Sequence, residues 1–120
     1  MAGTKNILIV EDEKPLQHAL ELKLTHEGFN VTVASNGAEC VDKVKNGSYD
    51  AVLLDLIMPE LDGFQVLEQL KAMPVMPAVF VLSNLSQHED EERVLALGAR
   101  KFFIKSDTPL TTIVDEVKQI

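Results

Sequence analysis

The chain has 120 residues, room for one compact domain and little for a second. Hydrophobic residues make up 46% and charged residues 25%, ordinary values for a globular protein whose core needs no staples. A formal net charge of -8 argues against nucleic acid as a direct ligand, because phosphate backbones need clustered Lys and Arg.

The opening segment, Met1-Ala2-Gly3-Thr4-Lys5-Asn6, is too short and polar for a signal peptide. No apolar run approaches the roughly 18–20 residues that span a bilayer, so no membrane contact is expected and the expected location is the cytoplasm. The single cysteine, Cys40, has no partner for an intramolecular disulfide, the usual state of a cytosolic chain. It reads as a small half-buried residue beside Val41 and Val44.

Ile7–Val10 is a short apolar run that ends in Glu11, Asp12 and Glu13. Leu16, Ala19, Leu20 and Leu24 then follow helical spacing, and Gly28 stops that helix. A second run, Val31–Ala34, leads to a helix marked by Ala38, Val41 and Val44. Asn36 and Glu39 are its capping pair, and Gly47 its stop. Ala51–Leu54 is the third run and is followed by Asp55. Phe64, Leu67 and Leu70 predict a third helix closed by Pro74 and Pro77. Ala78–Leu82 leads to Ser83 and Asn84. Ser86 and Glu89 predict a capping box for a fourth helix ending at Gly98. Phe102–Ile104 leads to Lys105. Thr108 and Pro109 predict the cap and first turn of a fifth helix, with Leu110, Ile113, Val114 and Val117 as its buried stripe.

The five runs lack polar alternation and read as strands buried on both faces. Five strands alternating with five helices imply an α/β domain: a doubly wound parallel sheet with helices on both faces. Ligands of such sheets bind beyond the carboxyl ends of the strands, where strand order reverses. At those ends this sequence places Glu11, Asp12, Asp55, Ser83 and Lys105. Crowded carboxylates repel unless a cation neutralises them. Oxygen donors with no His or Cys among them suit Mg²⁺ better than Zn²⁺. A carboxylate beside Mg²⁺ is also a nucleophile toward a phosphoryl group, giving an aspartyl phosphate. Lys105 and the Ser83 hydroxyl would share in neutralising the phosphoryl oxygens. Each residue alone reads as a cap, a loop hydroxyl or a surface charge; their meeting on one rim points to chemistry.

Several stretches are close to a known pattern: Ile9-Val10-Glu11-Asp12-Glu13, then Leu53-Leu54-Asp55-Leu56-Ile57-Met58-Pro59 with Asp62-Gly63, then Val81-Leu82-Ser83, and finally Gly98-Ala99 through Phe102-Phe103-Ile104-Lys105. In order and spacing the chain resembles the receiver domain of two-component response regulators, nearly end to end. The resemblance implies a flavodoxin-like strand order 2-1-3-4-5 and one receiver domain over residues 1–120 with no output domain. It implies a switch that catalyses only its own phosphorylation and dephosphorylation. Asp55 would be the phosphoacceptor. Asp12, Asp55 and the backbone carbonyl of Ile57 would bind Mg²⁺ directly, with Glu11 acting mostly through water on the metal. Ser83 would hydrogen-bond the phosphoryl group, Lys105 would pair with Asp55 and then with a phosphoryl oxygen, and Phe102 holds the aromatic switch position. The implied partners are a histidine kinase or phosphotransfer protein, and a downstream effector or covalently linked output domain. A homodimer through the fourth helix, fifth strand and fifth helix is also an expectation of the resemblance.

Three departures from that family stand out. Ser106 follows Lys105 where proline is usual, and a cis bond before a non-proline residue costs about 2.5–4 kcal/mol. A trans Lys105–Ser106 bond and a differently built loop are therefore expected. Asn84 stands where a small residue is common and is expected either to narrow the entrance or to hydrogen-bond the phosphoryl group. Phe102 lacks the hydroxyl of the tyrosine found in many members. Ile57 and Leu85, which flank the site, offer no group to orient an attacking water, so a long-lived aspartyl phosphate is expected.

Other readings fit less well. A binding module independent of phosphorylation has only Ser106 and Asn84 in its favour. An aspartate-nucleophile phosphatase would carry an acid two positions after Asp55, where Ile57 stands. A flavin protein would need a phosphate-holding first loop, which Glu11-Asp12-Glu13 would repel. His18, His26 and His88 read as exposed helical residues. Glu89-Asp90-Glu91-Glu92 reads as a solvated first turn.

Overall fold

The computed structural model describes residues 4–57, 62–84 and 88–120, and the backbone alone of His88. Met58, Pro59, Leu85 and Ser86 lie outside the described residues, and so does the expected capping box of Ser86. Five strands alternate with five helices: β1 (Asn6–Val10), α1 (Lys14–His26), β2 (Asn30–Ala34), α2 (Gly37–Asn46), β3 (Ala51–Asp55), α3 (Gly63–Lys71), β4 (Ala78–Ser83), α4 (His88–Ala96), β5 (Lys101–Ile104) and α5 (Leu110–Val117). The sheet has the order β2-β1-β3-β4-β5, and every pairing is parallel. Fold class and strand order are those expected from the sequence.

Alternation along the strands divides the core in two. Leu8, Val10, Val52, Leu54, Val79 and Val81 pack with Val41 of α2, Val66, Leu67 and Leu70 of α3 and Val94 of α4. Ile7, Ile9, Leu53, Phe80, Leu82 and Phe103 face the other way, onto Leu20 and Leu24 of α1 and Ile113, Val114 and Val117 of α5. A sheet covered on both sides lets its central strands be continuously apolar, and β3 is buried throughout.

The outer strands depart from expectation. β2 is mostly half-buried, and β5 has only Phe103 fully buried. They are the two edges of the sheet, with a neighbour on one side only. Cys40 is fully buried rather than half-buried, and burial pushes its thiol up to about 12.

Local signals account for most helix ends. Gly28 and Gly98 adopt positive φ, 97° and 102°, the conformation glycine enters without steric cost. Asn36 Oδ1 accepts from the Glu39 N–H at 2.8 Å. The Glu39 carboxylate turns to the Ser35 N–H instead of returning to Asn36, so half of the expected reciprocal pair forms. α3 starts with a full capping box between Asp62 and Gln65, which the sequence reading missed. α5 begins differently from expectation: Pro109 is its N-cap. Thr108 is no cap, because its hydroxyl donates to the Ile104 carbonyl at 2.8 Å. No helix among the described residues is long and apolar enough to cross a membrane.

Candidate functional site

The carboxyl ends of β1, β3, β4 and β5 carry the predicted residues to one rim. Asp55 is the last residue of β3, and Ser83 the last of β4. Glu11 follows β1 directly, and Lys105 follows β5. A cavity of about 190 Å³ opens there, lined by Asp12, Glu13, Asp55, Ile57, Asn84 and Lys105.

Lys105 is the hub. Its Nζ lies 2.8 Å from Glu11 Oε1, 3.1 Å from Asp55 Oδ2 and 3.4 Å from Glu13 Oε2. The other oxygen of Asp55, Oδ1, accepts from the Ile57 backbone N–H at 3.2 Å. Glu11 Oε2 accepts from the Glu13 N–H at 3.0 Å. Glu11 Oε1 makes no directed hydrogen bond among the described residues, so the nearby ammonium serves it as a counter-ion. The Glu11 carbonyl accepts from the buried amide of Gln17 at 2.7 Å. That residue escaped the sequence reading, since a glutamine inside a helix signals neither chemistry nor core.

Burial and charge oppose each other here. Burial is the largest influence on both Asp55 and Glu11 and raises their pKa values; contact with Lys105 pulls the other way without cancelling it. For Lys105, burial alone would lower the pKa. The close contact with Glu11 and the charge of Asp55 outweigh it, so the ammonium is pushed up to about 12.

Glu11, Asp12 and Asp55 each bring a carboxylate oxygen to within 4.8 Å of the others. Three hard oxygen donors, with one buried oxygen lacking a directed partner, suit a hard divalent cation. The acidic cluster could bind such an ion, and Mg²⁺ fits its chemistry.

Ser83 is fully buried beneath the rim and does not line the cavity. Phe102 is half-buried and packs with the α2–α3–α4 side of the core. Ser83 pairs with Ile104 in the sheet register, so Phe102 sits on the same face one diagonal step from Ser83. Asn84 lines the cavity. No peptide bond among the described residues is cis, so Lys105–Ser106 is trans. The chain after β5 turns into a single 3₁₀ turn, Lys105–Asp107. The exposed His18 and His26 of α1 do not line this cavity.

The family model "Response regulator receiver domain" matches residues 7–117. The uncharacterized transcriptional regulatory protein YkoG of Bacillus subtilis is 37% identical over 100 residues, which cover 83% of this chain and 44% of that protein. The cell cycle response regulator CtrA of Brucella ovis is 35% identical over 99 residues, covering 82% and 43%. The chain therefore spans less than half the length of these relatives. Among solved structures, the Francisella response regulator 1452 receiver domain superposes with a TM-score of 0.91 at 25% identity, covering 97% of this chain and 95% of that one. The response regulator TrrA of Thermotoga maritima, solved in complex with Mg²⁺-BeF, gives 0.85 at 28% identity, covering 97% and 98%. Sequence, strand order and rim chemistry agree, and the chain belongs to the response regulator receiver domains, the signalling domains of two-component systems.

Proposed function

We propose that residues 1–120 act as one phosphoryl-accepting switch, with Asp55 as the acceptor. The observation that carries this reading is the meeting of Asp55, Asp12, Glu13 and Lys105 around one small open cavity, with Glu11 buried beside them. The donor is the phosphohistidine of a kinase or phosphotransfer protein, or a small phosphodonor. An Asp55 oxygen forms the new O–P bond as the phosphohistidine's P–N bond breaks. The departing imidazole keeps that electron pair and takes up a proton. With acetyl phosphate the P–O bond breaks instead, and acetate leaves with its electron pair. Mg²⁺, held by Glu11, Asp12, Asp55 and the Ile57 carbonyl, would supply charge neutralisation for the phosphoryl oxygens.

The chain's own groups prepare this step. The Ile57 N–H holds one Asp55 oxygen and Lys105 the other, which fixes the carboxylate before the donor arrives. Lys105 then supplies positive charge to the transferred group, and Ser83 a hydroxyl. Drawing Ser83 toward the new charge vacates space on the face it shares with Phe102, whose ring turns inward to fill it. The surface changed is α4, β5 and α5. An effector or a covalently linked output domain would read it, and a homodimer could form through it. The domain acts on no substrate beyond its own aspartate, touches neither nucleic acid nor membrane directly, and works in the cytoplasm.

The test is intact mass after incubation with acetyl phosphate and Mg²⁺, for wild type and Asp55→Asn. A Mg²⁺-dependent phosphoryl adduct lost in the variant supports the reading. Absence of any adduct in both, together with no binding of the beryllium fluoride mimic, favours a module that works without phosphorylation.

A further inference from the structure

An ammonium group carries three N–H donors. That of Lys105 faces three carboxylates, Glu11 at 2.8 Å, Asp55 at 3.1 Å and Glu13 at 3.4 Å. A phosphoryl group on Asp55 brings new acceptor oxygens to the same ammonium, and they compete with the three carboxylates for its charge and its donors. The three partners differ in what they would lose. The Glu11 side chain is 1% exposed, and its Oε1 has no directed hydrogen bond among the described residues. Without Lys105 it would be an uncompensated buried charge, which is strongly unfavourable. Asp55, 5% exposed, is the group being modified. Glu13 is 59% exposed, makes the longest of the three contacts, and can exchange the ammonium for water at little cost.

We propose that Glu13 is the contact Lys105 gives up. It is a positioning residue that holds the ammonium at the cavity mouth while Asp55 is free and releases it once Asp55 is phosphorylated. This inference rests on the reading of Asp55 as phosphoacceptor. The backbone N–H of Glu13 has a separate task, donating to Glu11 Oε2 at 3.0 Å, which side-chain substitutions leave in place.

The experiment compares the full chain as wild type, Glu13→Gln and Glu13→Asp by two readouts. The first is exchange of the Lys105 ammonium hydrogens with water, followed by NMR without metal or mimic. The second is affinity for beryllium fluoride in the presence of Mg²⁺. Glu13→Gln is expected to speed the exchange and to tighten mimic binding by roughly two- to fivefold, the range of an exposed ion pair. Glu13→Asp keeps the charge but withdraws it by one methylene, and is expected to gain in the same way. Unchanged exchange in Glu13→Gln overturns the proposal, as does equal or weaker mimic binding. A gain in the Gln variant with wild-type behaviour in the Asp variant overturns it too, in favour of bulk charge. If wild type takes up no mimic in a Mg²⁺- and Asp55-dependent way, the phosphoacceptor reading fails and this inference with it. Uptake with equal affinities fails this inference alone.

Discussion

The side-chain amide of Gln17 donates to the backbone carbonyl of Glu11 across 2.7 Å of protein interior. It ties the first helical turns of α1 to the end of β1, where the acidic residues begin. Gln17→Leu would keep the bulk and leave that carbonyl without its donor. A loss of about 1–3 kcal/mol of stability is expected, with weaker Mg²⁺ binding because the acidic loop is no longer held. Urea denaturation and a Mg²⁺ titration would measure both; unchanged values in each would show that the bond positions nothing.

The buried carboxylates set a pH dependence. Asp55 and Glu11 ionise at higher pH in the folded chain than their ordinary values of 3.8 and 4.5. The folded state thus binds more protons than the unfolded one. Their contribution to stability is fully present below those ordinary values and is lost as pH rises through the raised ones. Asp55→Asn should therefore be more stable than wild type near neutrality in metal-free buffer, and the gap should close toward acid. Millimolar Mg²⁺ should stabilise wild type and leave the variant nearly unchanged. Denaturation curves between about pH 4 and 8 test this; a variant less stable than wild type at neutrality would falsify it.

Gly63 opens α3 under the backbone of the acceptor strand. A Cβ there would lie 2.5 Å from Leu56 Cα and 3.0 Å from the Asp55 carbonyl oxygen, and its N–H donates to the Leu56 carbonyl at 2.9 Å. Backbone cannot rotate away as a side-chain tip can. Gly63→Ala is expected to cost about 1–3 kcal/mol and to weaken binding of beryllium fluoride by moving Asp55. Stability and mimic affinity measured on one preparation would show whether the two losses travel together.

Ile57 is exposed at the cavity wall beside Asp55. Its side chain cannot orient water, so the aspartyl phosphate of wild type is expected to last far longer than seconds. Ile57→Asn introduces a carboxamide at the same place and should shorten that lifetime several-fold. The decay of the phosphorylated mass in purified protein reads it directly. Equal lifetimes would mean that the side chain at this position does not govern access of water.

The sheet and its rim were legible because apolar runs and the polar residues that end them are local signals. Asp55, Ser83 and Lys105 each follow such a run, and parallel topology does the rest. What escaped depends on tertiary neighbours. Whether Val31 and Val33 are buried on both faces depends on β2 being an edge, which its own residues do not state. Thr108 before Pro109 has the pattern of a cap, yet the Ile104 carbonyl lies close enough to claim its hydroxyl. Gln17 looks like any polar helical residue until the end of β1 is folded against it. Gly63 was legible as part of a motif, but the crowding that demands glycine appears only when Leu56 is in place.

Two charged side chains join α4 to α3 among the described residues. The Arg93 guanidinium stacks over the Phe64 ring at 4.0 Å, and Lys71 Nζ donates to the Ala96 carbonyl at 3.0 Å. The second supplies a cation to the last carbonyls of α4 from a different helix. Among the described residues α4 spans nine, His88–Ala96, below the length at which an isolated helix holds its shape in water. Its helicity is therefore borrowed from the core it packs on, through Val94 and its contacts with β5 and α3: pulled away from that surface, the segment would melt before it could travel as a rigid rod. Arg93→Ala combined with Lys71→Met should accordingly speed amide hydrogen exchange along α4 while leaving that of β3 unchanged.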